Sequence, residues 1–380
     1  MARSVIAIPE PKLEKAGDLW RLSATIAGKN VFFESRIPLS PRPEVLVCSF
    51  LMPAMAFHAD LEVEGGLDEV FLENLDFVRR RVKEWWPELG GGEVRASKRA
   101  SAAPGPDVGC FYTGGIDSSY VLQQLHPKLR YAVFVEGFDI GLRDEARLRL
   151  ARETLGATAA ACGVELVSVR TNLRQNLLFQ QVRWGKNHMG ALSAVGHALG
   201  SHVHTMFAAA SDVPPPWGSA PDLDAAWSSG SLKIENFSAE LSRLQRVDSV
   251  AKWEKLRGRL RVCLERDTPH LNCGNCEKCV RTRMQLFVAG SPDGLGSFRE
   301  GPTLRSAMSD LAEAHDEVAG QWREVAERLQ DRRLLRHLER ALAGRRPAIW
   351  RRALREFKKL GERAAREAMP HRTAAVRASQ

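Results

Sequence analysis

Short apolar runs alternate with longer stretches of helical periodicity between residues 108 and 211. The short runs predict strands over VGCFYT, YAVFVE, VELVSV and HVHTMFAAAS. In the longer stretches, apolar residues recur every three or four positions, which predicts helices over 116–125 and 143–161 and another that ends at 197–199. Strands that alternate with helices at this spacing form a parallel sheet with helices on both faces. The predicted fold class is therefore α/β.

The flanking segments have other patterns. Residues 1–95 mix short alternating runs, LWRLSATI, VFFESRI and EVLVCSFLMPAM, with one helical stretch, LDEVFLENLDFVRRRVKEWW, whose acidic start and basic end suit the helix dipole. We expect a small N-terminal α+β domain there. Residues 96–107 have the Ala, Ser, Pro and Gly content of a linker. Residues 108–290 are then the α/β domain, and 291–380 form a basic helical C-terminal region.

Composition and charge narrow the class of protein. No apolar stretch approaches the ~18 residues of a membrane span, and the N-terminus lacks the apolar run of a signal peptide, so we expect a cytoplasmic protein. The formal charge is +9, but residues 321–380 hold 17 Lys and Arg against 7 Asp and Glu, so the basic surface belongs to the tail. An amphipathic helix packed on the body, an arm that docks RNA or a protein, and a membrane-surface helix all fit this tail.

The stretch FYTGGIDSSYVL, residues 111–122, joins a predicted strand to a predicted helix. Two glycines, free backbone N–H groups, a helix N-terminus and several hydroxyls are the components of a phosphate site. The stretch lacks the Gly-Lys-Ser/Thr of a Walker A loop and the third glycine of a dinucleotide fingerprint. The alternative is a strand-to-helix turn in which the glycines serve geometry and Asp117 caps the helix.

Four cysteines lie in the pattern of a metal site: Cys263, Cys273, Cys276 and Cys279. Two successive gaps of two residues and one more distant cysteine suit tetrahedral zinc, and four protein ligands make such a site structural. An iron–sulfur cluster and unliganded thiols are the alternatives. Seven cysteines in 380 residues are too few for a disulfide scaffold, which favours a reducing compartment.

The glycine stretch resembles the Ser-Gly-Gly-x-Asp-Ser loop of the PP-loop ATP pyrophosphatases, with Thr113 in place of the first serine. The distant Cys followed by CxxCxxC is similar to the 7-cyano-7-deazaguanine synthase family, whose members bind zinc there. Asparagine synthetases share the loop. The resemblance covers about residues 108–286. It implies the fold of the adenine-nucleotide alpha hydrolase-like (HUP) domains and an ATP whose β,γ-pyrophosphate is held by the loop.

The resemblance assigns roles to named residues. ATP binding falls to Thr113, Gly114, Gly115, Ile116, Asp117, Ser118, Ser119 and Val135. Asp117 suits Mg²⁺, and Asp117, Ser118 and Arg243 are the expected catalytic residues. A predicted helix over 241–260 carries four cations that could neutralise the departing pyrophosphate, Arg243, Arg246, Lys252 and Lys255. Arg243 is the choice by position, and a solvated charged helix face is the alternative.

Substrate contacts are expected from the WGKNHMG segment and from a Pro-Asp in the irregular stretch 211–232. The residues are Lys186, Asn187, His188 and Asp222; a helix cap with solvated polar residues is the alternative for the first three. Glu136-Gly137-Phe138-Asp139 replaces the Tyr-Gly-Gln of the deazaguanine family, which favours a different carboxylic acid as acceptor.

The implied activity is that of an AMP-forming ligase. A small-molecule carboxylate or carbonyl oxygen is adenylated by ATP, and ammonia or an amine then displaces AMP; an oligomer is compatible with this activity. One alternative is a tRNA-modifying PP-loop enzyme that acts by thiolation or base activation, with Cys110 and Cys162 as candidate sulfur carriers. Another is an ATP-binding scaffold without catalysis.

Overall fold

The computed structural model describes residues 4–265, 268–298, 301–309, 311 and 318–343. Its strands in chain order are β1 (Val5–Ile8), β2 (Lys12–Ala16), β3 (Leu19–Ile26), β4 (Lys29–Ser35), β5 (Asp60–Val63), β6 (Leu67–Asp68), β7 (Val94–Arg95), β8 (Lys98–Arg99), β9 (Asp107–Phe111), β10 (Tyr131–Glu136), β11 (Glu165–Thr171), β12 (Val203–Ala209) and β13 (Lys233–Phe237).

The α-helices in chain order are α1 (Glu44–Ala56), α2 (Glu69–Trp85), α3 (Ile116–Leu125), α4 (Glu145–Ala161), α5 (Trp184–Ala198), α6 (Pro221–Ala225), α7 (Arg243–Val250), α8 (Glu277–Val288), α9 (Leu304–Ser309), α10 (Ala319–Arg328) and α11 (Arg332–Ala343). None of the described helices has both the length and the hydropathy required to cross a membrane.

The central sheet is mixed. Its eight described strands follow the order β13-β12-β9-β10-β11-β4-β3-β2. Strands β13 to β11 are parallel, while β4, β3 and β2 are antiparallel to their neighbours. The chain runs from β9 outward to β11 and then returns to the other side of β9 as β12 and β13. This reversal leaves a crevice at the carboxyl ends of β9 and β12, which is where open α/β sheets bind ligands. The α/β class is confirmed.

Helices cover both faces of this sheet, as the pattern predicted. In β9 and the residue that follows it, Cys110 and Tyr112 join the cluster packed by α3 and α4. Phe111 between them joins the larger cluster that also holds α1, α2 and α5. This alternation is the period of two of a strand buried on both sides.

The N-terminal strands belong to the same sheet, contrary to the expectation of a separate domain over 1–95. Antiparallel pairing of Arg170 with Glu34 and of Thr171 with Phe33 joins β11 to β4. Small parallel sheets, β1-β5-β7 and β6-β8, pack beside it. A single hydrophobic cluster extends from Ile8 to Ile234. The expected linker therefore does not separate two cores. Strand β4 also covers the sheet edge that β11 would otherwise expose.

Helix α1 was not expected from its sequence. The stretch EVLVCSFLMPAM reads as a short alternating run, yet residues 44–55 are all buried and helical. A helix buried on every side has no polar face, so no 3.6-residue period marks it. Helices α9, α10 and α11 lie within the expected helical C-terminal region, with Trp322 and Leu338 in their core. The rest of the basic tail, 344–380, lies outside the described residues.

Glu44 joins the start of α1 to β6 and β8. Its buried carboxylate accepts from the Asp68 backbone N–H at 2.7 Å and from the Arg99 guanidinium at 2.9 Å. Glu44→Ala leaves both donors unpaired, and we expect the free energy of unfolding to fall by about 2–3 kcal/mol in urea denaturation. Glu73→Ala removes an exposed pair with Lys98 and should cost less than about 1 kcal/mol. Equal losses in the two variants would contradict this assignment.

Candidate functional site

The glycine loop lies where the sequence placed it, between β9 and α3 at the crevice beside β12. Gly115 is the residue that precedes α3, and no side chain caps the helix. An α-helix has four N–H groups in its first turn without a partner inside the helix. The start of α3 therefore presents donors and a positive dipole end to the crevice.

Hydroxyl groups shape the loop from within. The Thr113 N–H donates to Ser118 Oγ at 3.2 Å, and Ser118 Oγ donates to the Gly115 carbonyl at 3.2 Å. The Gly115 N–H donates to Thr113 Oγ1 at 3.4 Å. Thr113 and Ser118 thus fold the loop back on the first turn of α3, which explains why hydroxyls flank the glycines.

Gly114 is required by its backbone and by its neighbours. Its φ is +74°, and a Cβ there would lie 2.5 Å from Leu155 Cδ2 and 3.2 Å from Arg261 Cβ. The Arg261 N–H also donates to the Gly114 carbonyl at 2.8 Å. The segment before the first metal-site cysteine is therefore fastened directly to the glycine loop.

Asp117 is held by two arginines from α7. Its carboxylate pairs with Arg243, and Arg246 Nη1 lies 2.9 Å from Asp117 Oδ1. Burial opposes ionisation, but the two guanidinium groups outweigh it and hold the pKa of Asp117 below its ordinary value. The structure thus brings Arg243 to the loop through this contact. Each Asp117 oxygen thus accepts from one arginine.

Arg246 also connects the ends of two strands, a role that could not be predicted from the sequence. Its fully buried guanidinium donates to the Ala210, Ser238 and Leu241 carbonyls at 2.9, 3.0 and 2.7 Å. Ala210 and Ser238 follow β12 and β13, so one side chain ties both strand ends to Asp117. Its spacing of three from Arg243, one turn of helix, is the signal that pairs them.

Helix α7 is shorter than the predicted helix over 241–260. It begins at a capping box in which the Gln245 N–H donates to Ser242 Oγ, and the Ser242 N–H donates to Gln245 Oε1 at 2.7 Å. It ends at Val250, and the chain reaches Gly258 with φ +72°. A left-handed glycine does not continue a helix, so the apolar pattern beyond Val250 serves packing instead.

A second carboxylate, Asp139, lies in the same region. Arg261 Nη2 is 2.7 Å from Asp139 Oδ2. Burial opposes ionisation of Asp139, yet Arg261 and Lys278 outweigh it and lower its pKa. Arg281 pairs with Glu277 at 2.8 Å and donates to Gln321. The sequence showed these charges but not their convergence, because they come from separate segments.

A cavity of about 680 Å³ opens between the 211–221 loop and α10, next to the start of α7. Asp212 lies on its wall, accepts from the Arg243 N–H at 2.9 Å and accepts from Gln321 Nε2 at 2.7 Å. Through Asp212 the cavity therefore adjoins Arg243, the residue that pairs with Asp117.

Three of the other predicted ATP contacts are buried. Ile116 packs in the cluster that includes the cysteines, and Ser119 is fully enclosed. Val135 packs in the main core. These three side chains therefore pack inside the fold. The partly exposed residues of the glycine loop are Thr113, Gly115 and Asp117.

Three predicted substrate residues are paired or buried apart from the glycine loop. Lys186 pairs with Glu88, and Asn187 is fully buried inside the fold. Asp222 pairs with Arg81 of α2, and Pro221 and Asp222 start the short helix α6.

His188 is the substrate candidate that interacts electrostatically with Asp139. Its ring lies between Trp184 and Trp217, with centroids 6.1 and 5.5 Å away. Burial lowers its pKa to about 4, against the opposing influence of Asp139. The imidazole is therefore neutral at physiological pH.

Asp224, two residues after the predicted Asp222, is the buried acid of this segment. Ser219 Oγ donates to it at 2.7 Å and Asn236 Nδ2 at 2.6 Å, which fastens the 211–221 loop to β13. Burial raises the pKa of Asp224 to about 6. In the sequence, the only indication of Asp224 was that it is a second aspartate two residues after Asp222.

The four predicted metal ligands do converge. The sulfur atoms of Cys263, Cys273, Cys276 and Cys279 all lie within 4.8 Å of one another. The Cys263–Cys276 pair is 3.8 Å apart and the Cys273–Cys279 pair 3.9 Å. Tetrahedral zinc with Zn–S bonds of about 2.3 Å requires sulfur atoms about 3.8 Å apart. The residues therefore fit a structural zinc ion.

Asn272 holds the cysteine loop in shape. Its Oδ1 accepts from the Val262 and Cys263 N–H groups at 2.8 and 3.3 Å, and its Nδ2 donates to the Leu260 and Ser297 carbonyls at 2.7 and 3.0 Å. Every polar atom of this buried amide side chain is used, which fixes the loop beside the site.

Comparison of the chain with protein-family models, curated protein sequences and solved structures gave no match.

Gly114→Ala should cost more stability than Gly163→Ala, although both glycines are left-handed. Gly163 has φ +72° and nothing within 4 Å of a Cβ, so its substitution should cost about 1–2 kcal/mol. Gly114→Ala adds the collision with Leu155 and should cost roughly 3 kcal/mol. Urea denaturation measures both. Equal costs would show that the close approach of Arg261 and Leu155 is not constraining.

The cysteine site should carry one zinc ion per chain. Metal analysis of the purified protein should find zinc, and cobalt substitution should give the absorption of a tetrahedral thiolate site. Cys279→Ser should lose the ion and melt at a lower temperature. Cys162→Ser, which changes a cysteine outside the cluster, should retain it. Visible absorption from bound iron, or four free thiols without metal, would contradict the zinc assignment.

Proposed function

We propose that this protein is an AMP-forming adenylating enzyme of the PP-loop type. ATP binds with its terminal phosphates at the start of α3, a carboxylate or carbonyl oxygen of a small molecule attacks the α-phosphorus, and ammonia or an amine then displaces AMP. The observation that carries the proposal is the uncapped N-terminus of α3, surrounded by cations at the crevice where the order of the parallel strands reverses.

The charges nearest the glycine loop favour an anionic ligand. The charged cluster of this region has the cations Arg243, Arg246, Arg261, Lys278 and Arg281 and the carboxylates Asp117, Asp139 and Glu277. Zinc bound by four thiolates would carry a net charge of −2 beside Lys278. At the glycine loop, however, two arginines share the single carboxylate of Asp117, and this local positive excess adds to the dipole of α3.

The loop chemistry favours release of pyrophosphate over transfer of the γ-phosphate. A γ-phosphate transfer loop of the Walker type carries a lysine that reaches the terminal phosphates, and TGGIDSS has none. Cations fixed around the terminal phosphates instead stabilise them as a leaving group when the α-phosphorus is attacked. The resemblance to PP-loop ATP pyrophosphatases points in the same direction.

We assign Asp117 the role of holding Arg243 and Arg246 toward the phosphates. Its two oxygens are shared between those guanidinium groups, and the arginines come from a different helix. Without the carboxylate, two buried cations would lose their partner and repel one another.

The acceptor is expected to differ from the deazaguanine acid. Glu136, in the replaced Tyr-Gly-Gln segment, is turned away into a network with Arg152 at 2.8 Å and Arg170 at 3.5 Å. Two groups of this region, Asp139 and Arg261, belong to the charged cluster, and the His188 ring lies close to Asp139. They suit an acceptor with both an acid group and a polar or planar portion.

The thiolation alternative receives little support from the cysteines outside the cluster. Burial raises the pKa of Cys110 to about 12 and raises that of Cys162 above its ordinary value. A sulfur carrier works as a thiolate, and neither residue favours that form at neutral pH.

Product analysis tests the proposal. With ATP, Mg²⁺, ammonia and a panel of carboxylic acids, phosphorus NMR should show AMP and pyrophosphate. Asp117→Asn should lower kcat/KM at least about 100-fold, because the two arginines lose their anchor. Asp222→Asn removes a carboxylate of the same charge from the Arg81 pair and should leave turnover unchanged. ADP and phosphate as products would overturn the proposal, and ATP binding without turnover would favour a scaffold.

A further inference from the structure

A different cavity, of about 660 Å³, is lined by residues of α4, of β11 and of the segment that ends β4. The pairing of β4 with β11 stops at Glu34 and Arg170, and the residues beyond this point on the two segments, 35–37 and 165–168, line the cavity. Cavities of this size commonly hold small molecules. The described residues of the glycine loop are not among its walls, so a ligand here would occupy a second site.

Gly156 widens this cavity although packing does not require a glycine there. It lies in the interior of α4, where glycine is less favourable than alanine. Outside its own helix, the nearest described atom to a Cβ at this position would be Leu166 Cδ2, at an ordinary contact distance of 3.7 Å. Three other apolar side chains, Leu19, Ile37 and Val167, line the cavity, and Leu19 is 38% exposed. The open space therefore suits an apolar group of a ligand.

Two arginines on the cavity wall hold an exposed carboxylate. Arg152 Nη2 lies 2.5 Å from Glu145 Oε1, and Arg170 Nη1 lies 3.1 Å from Glu145 Oε2. The same two guanidinium groups pair with the buried Glu136, at 2.8 and 3.5 Å. Glu136 therefore keeps the arginines in place, whereas the Glu145 side chain is 57% exposed. Because exposed ion pairs are weak, the carboxylate of a ligand can replace Glu145 on the two arginines.

Ser35 adds a hydrogen-bonding group that the protein leaves unsatisfied. The residue lies on the cavity wall and is 2% exposed. Its Oγ has no hydrogen-bond partner among the described residues. A buried hydroxyl without a partner costs free energy, which a polar atom from outside the protein can recover.

We propose that this cavity binds a small carboxylic acid with an apolar body. The acid group takes the place of Glu145 between Arg152 and Arg170, and the apolar body fills the space that Gly156 leaves beside Leu166. A carboxylate fits the two guanidinium groups, because the two Glu145 oxygens already accept from two different arginines. The inference goes beyond the proposed function, since binding here requires neither ATP nor turnover.

Octanoate is the probe for this proposal, and octylamine, which has the same apolar chain and the opposite charge, is the control ligand. In calorimetric titration octanoate should bind the unsubstituted protein. Octylamine should bind at least about 10-fold more weakly, because its ammonium group would be repelled by the two arginines. Equal affinity for the two ligands would overturn the proposal. So would the absence of octanoate binding at about 10 mM, where even a millimolar Kd is visible.

Gly156→Leu tests where the ligand binds. The added side chain fills the space beside Leu166 and should weaken octanoate binding at least about 10-fold, because several methylene groups lose their place. The melting temperature should not fall, since leucine favours the helix. The matched control is Gly320→Leu in α10, where a Cβ has nothing within 4 Å and lies outside this cavity. It should bind octanoate as the unsubstituted protein does.

Undiminished octanoate binding by a folded Gly156→Leu variant would place the ligand elsewhere and overturn the proposal. Gly156→Val repeats the test if Gly156→Leu melts at a lower temperature than the unsubstituted protein.

Glu145→Gln tests the role given to the exposed carboxylate. Removing the competing charge should strengthen octanoate binding about 2- to 5-fold, the range expected for a weak exposed ion pair. Glu153→Gln removes the same charge from an exposed residue of α4 outside the cavity and should leave the affinity unchanged. Unchanged or weaker binding by Glu145→Gln would contradict the replacement of Glu145 by the ligand.

Discussion

The backbone N–H groups at the start of α3 have no capping side chain and require another hydrogen-bond acceptor. The other residues of the site lie around these donors. Gly115 offers no side chain to satisfy these donors, and Thr113 and Ser118 use their hydroxyls to hold the loop in shape. A helix terminus in this condition is suited to an anion. The strand order places it at the crevice between β9 and β12, where a ligand can enter without disturbing the sheet.

Two long-range contacts complete this anion site. Asp117 holds Arg243 and Arg246 from α7, and the Arg261 N–H holds the Gly114 carbonyl from the side of the cysteines. The first contact supplies fixed positive charge, while the second holds a residue that must be glycine, because its φ is +74° and a Cβ would lie 2.5 Å from Leu155 Cδ2. Arg246 also links the ends of β12 and β13, so the same arginine serves the fold and the site.

Features that depend on residues close together in the chain could be predicted from the sequence. The parallel strands, α3, the glycine loop and the cysteine set were all identified from spacing, and the sulfur atoms do converge. Helix α1 was missed because uniform burial removes the helical period, and the joining of β4 to β11 depends on pairing between segments far apart in the chain, Glu34 with Arg170. The Pro-Asp dipeptide does not reveal the ion pair of Asp222, because its partner Arg81 comes from α2, far away in the sequence.

The most direct measurement is a crystal structure with a non-hydrolysable ATP analogue whose α,β-bridge oxygen is replaced by methylene. We expect β- and γ-phosphate oxygens within hydrogen-bond distance of the backbone N–H groups at the start of α3, and an α-phosphorus exposed toward the open crevice. A nucleotide bound elsewhere, or one with its γ-phosphate directed to the crevice and its α-phosphate enclosed, would contradict binding of the terminal phosphates at this helix start.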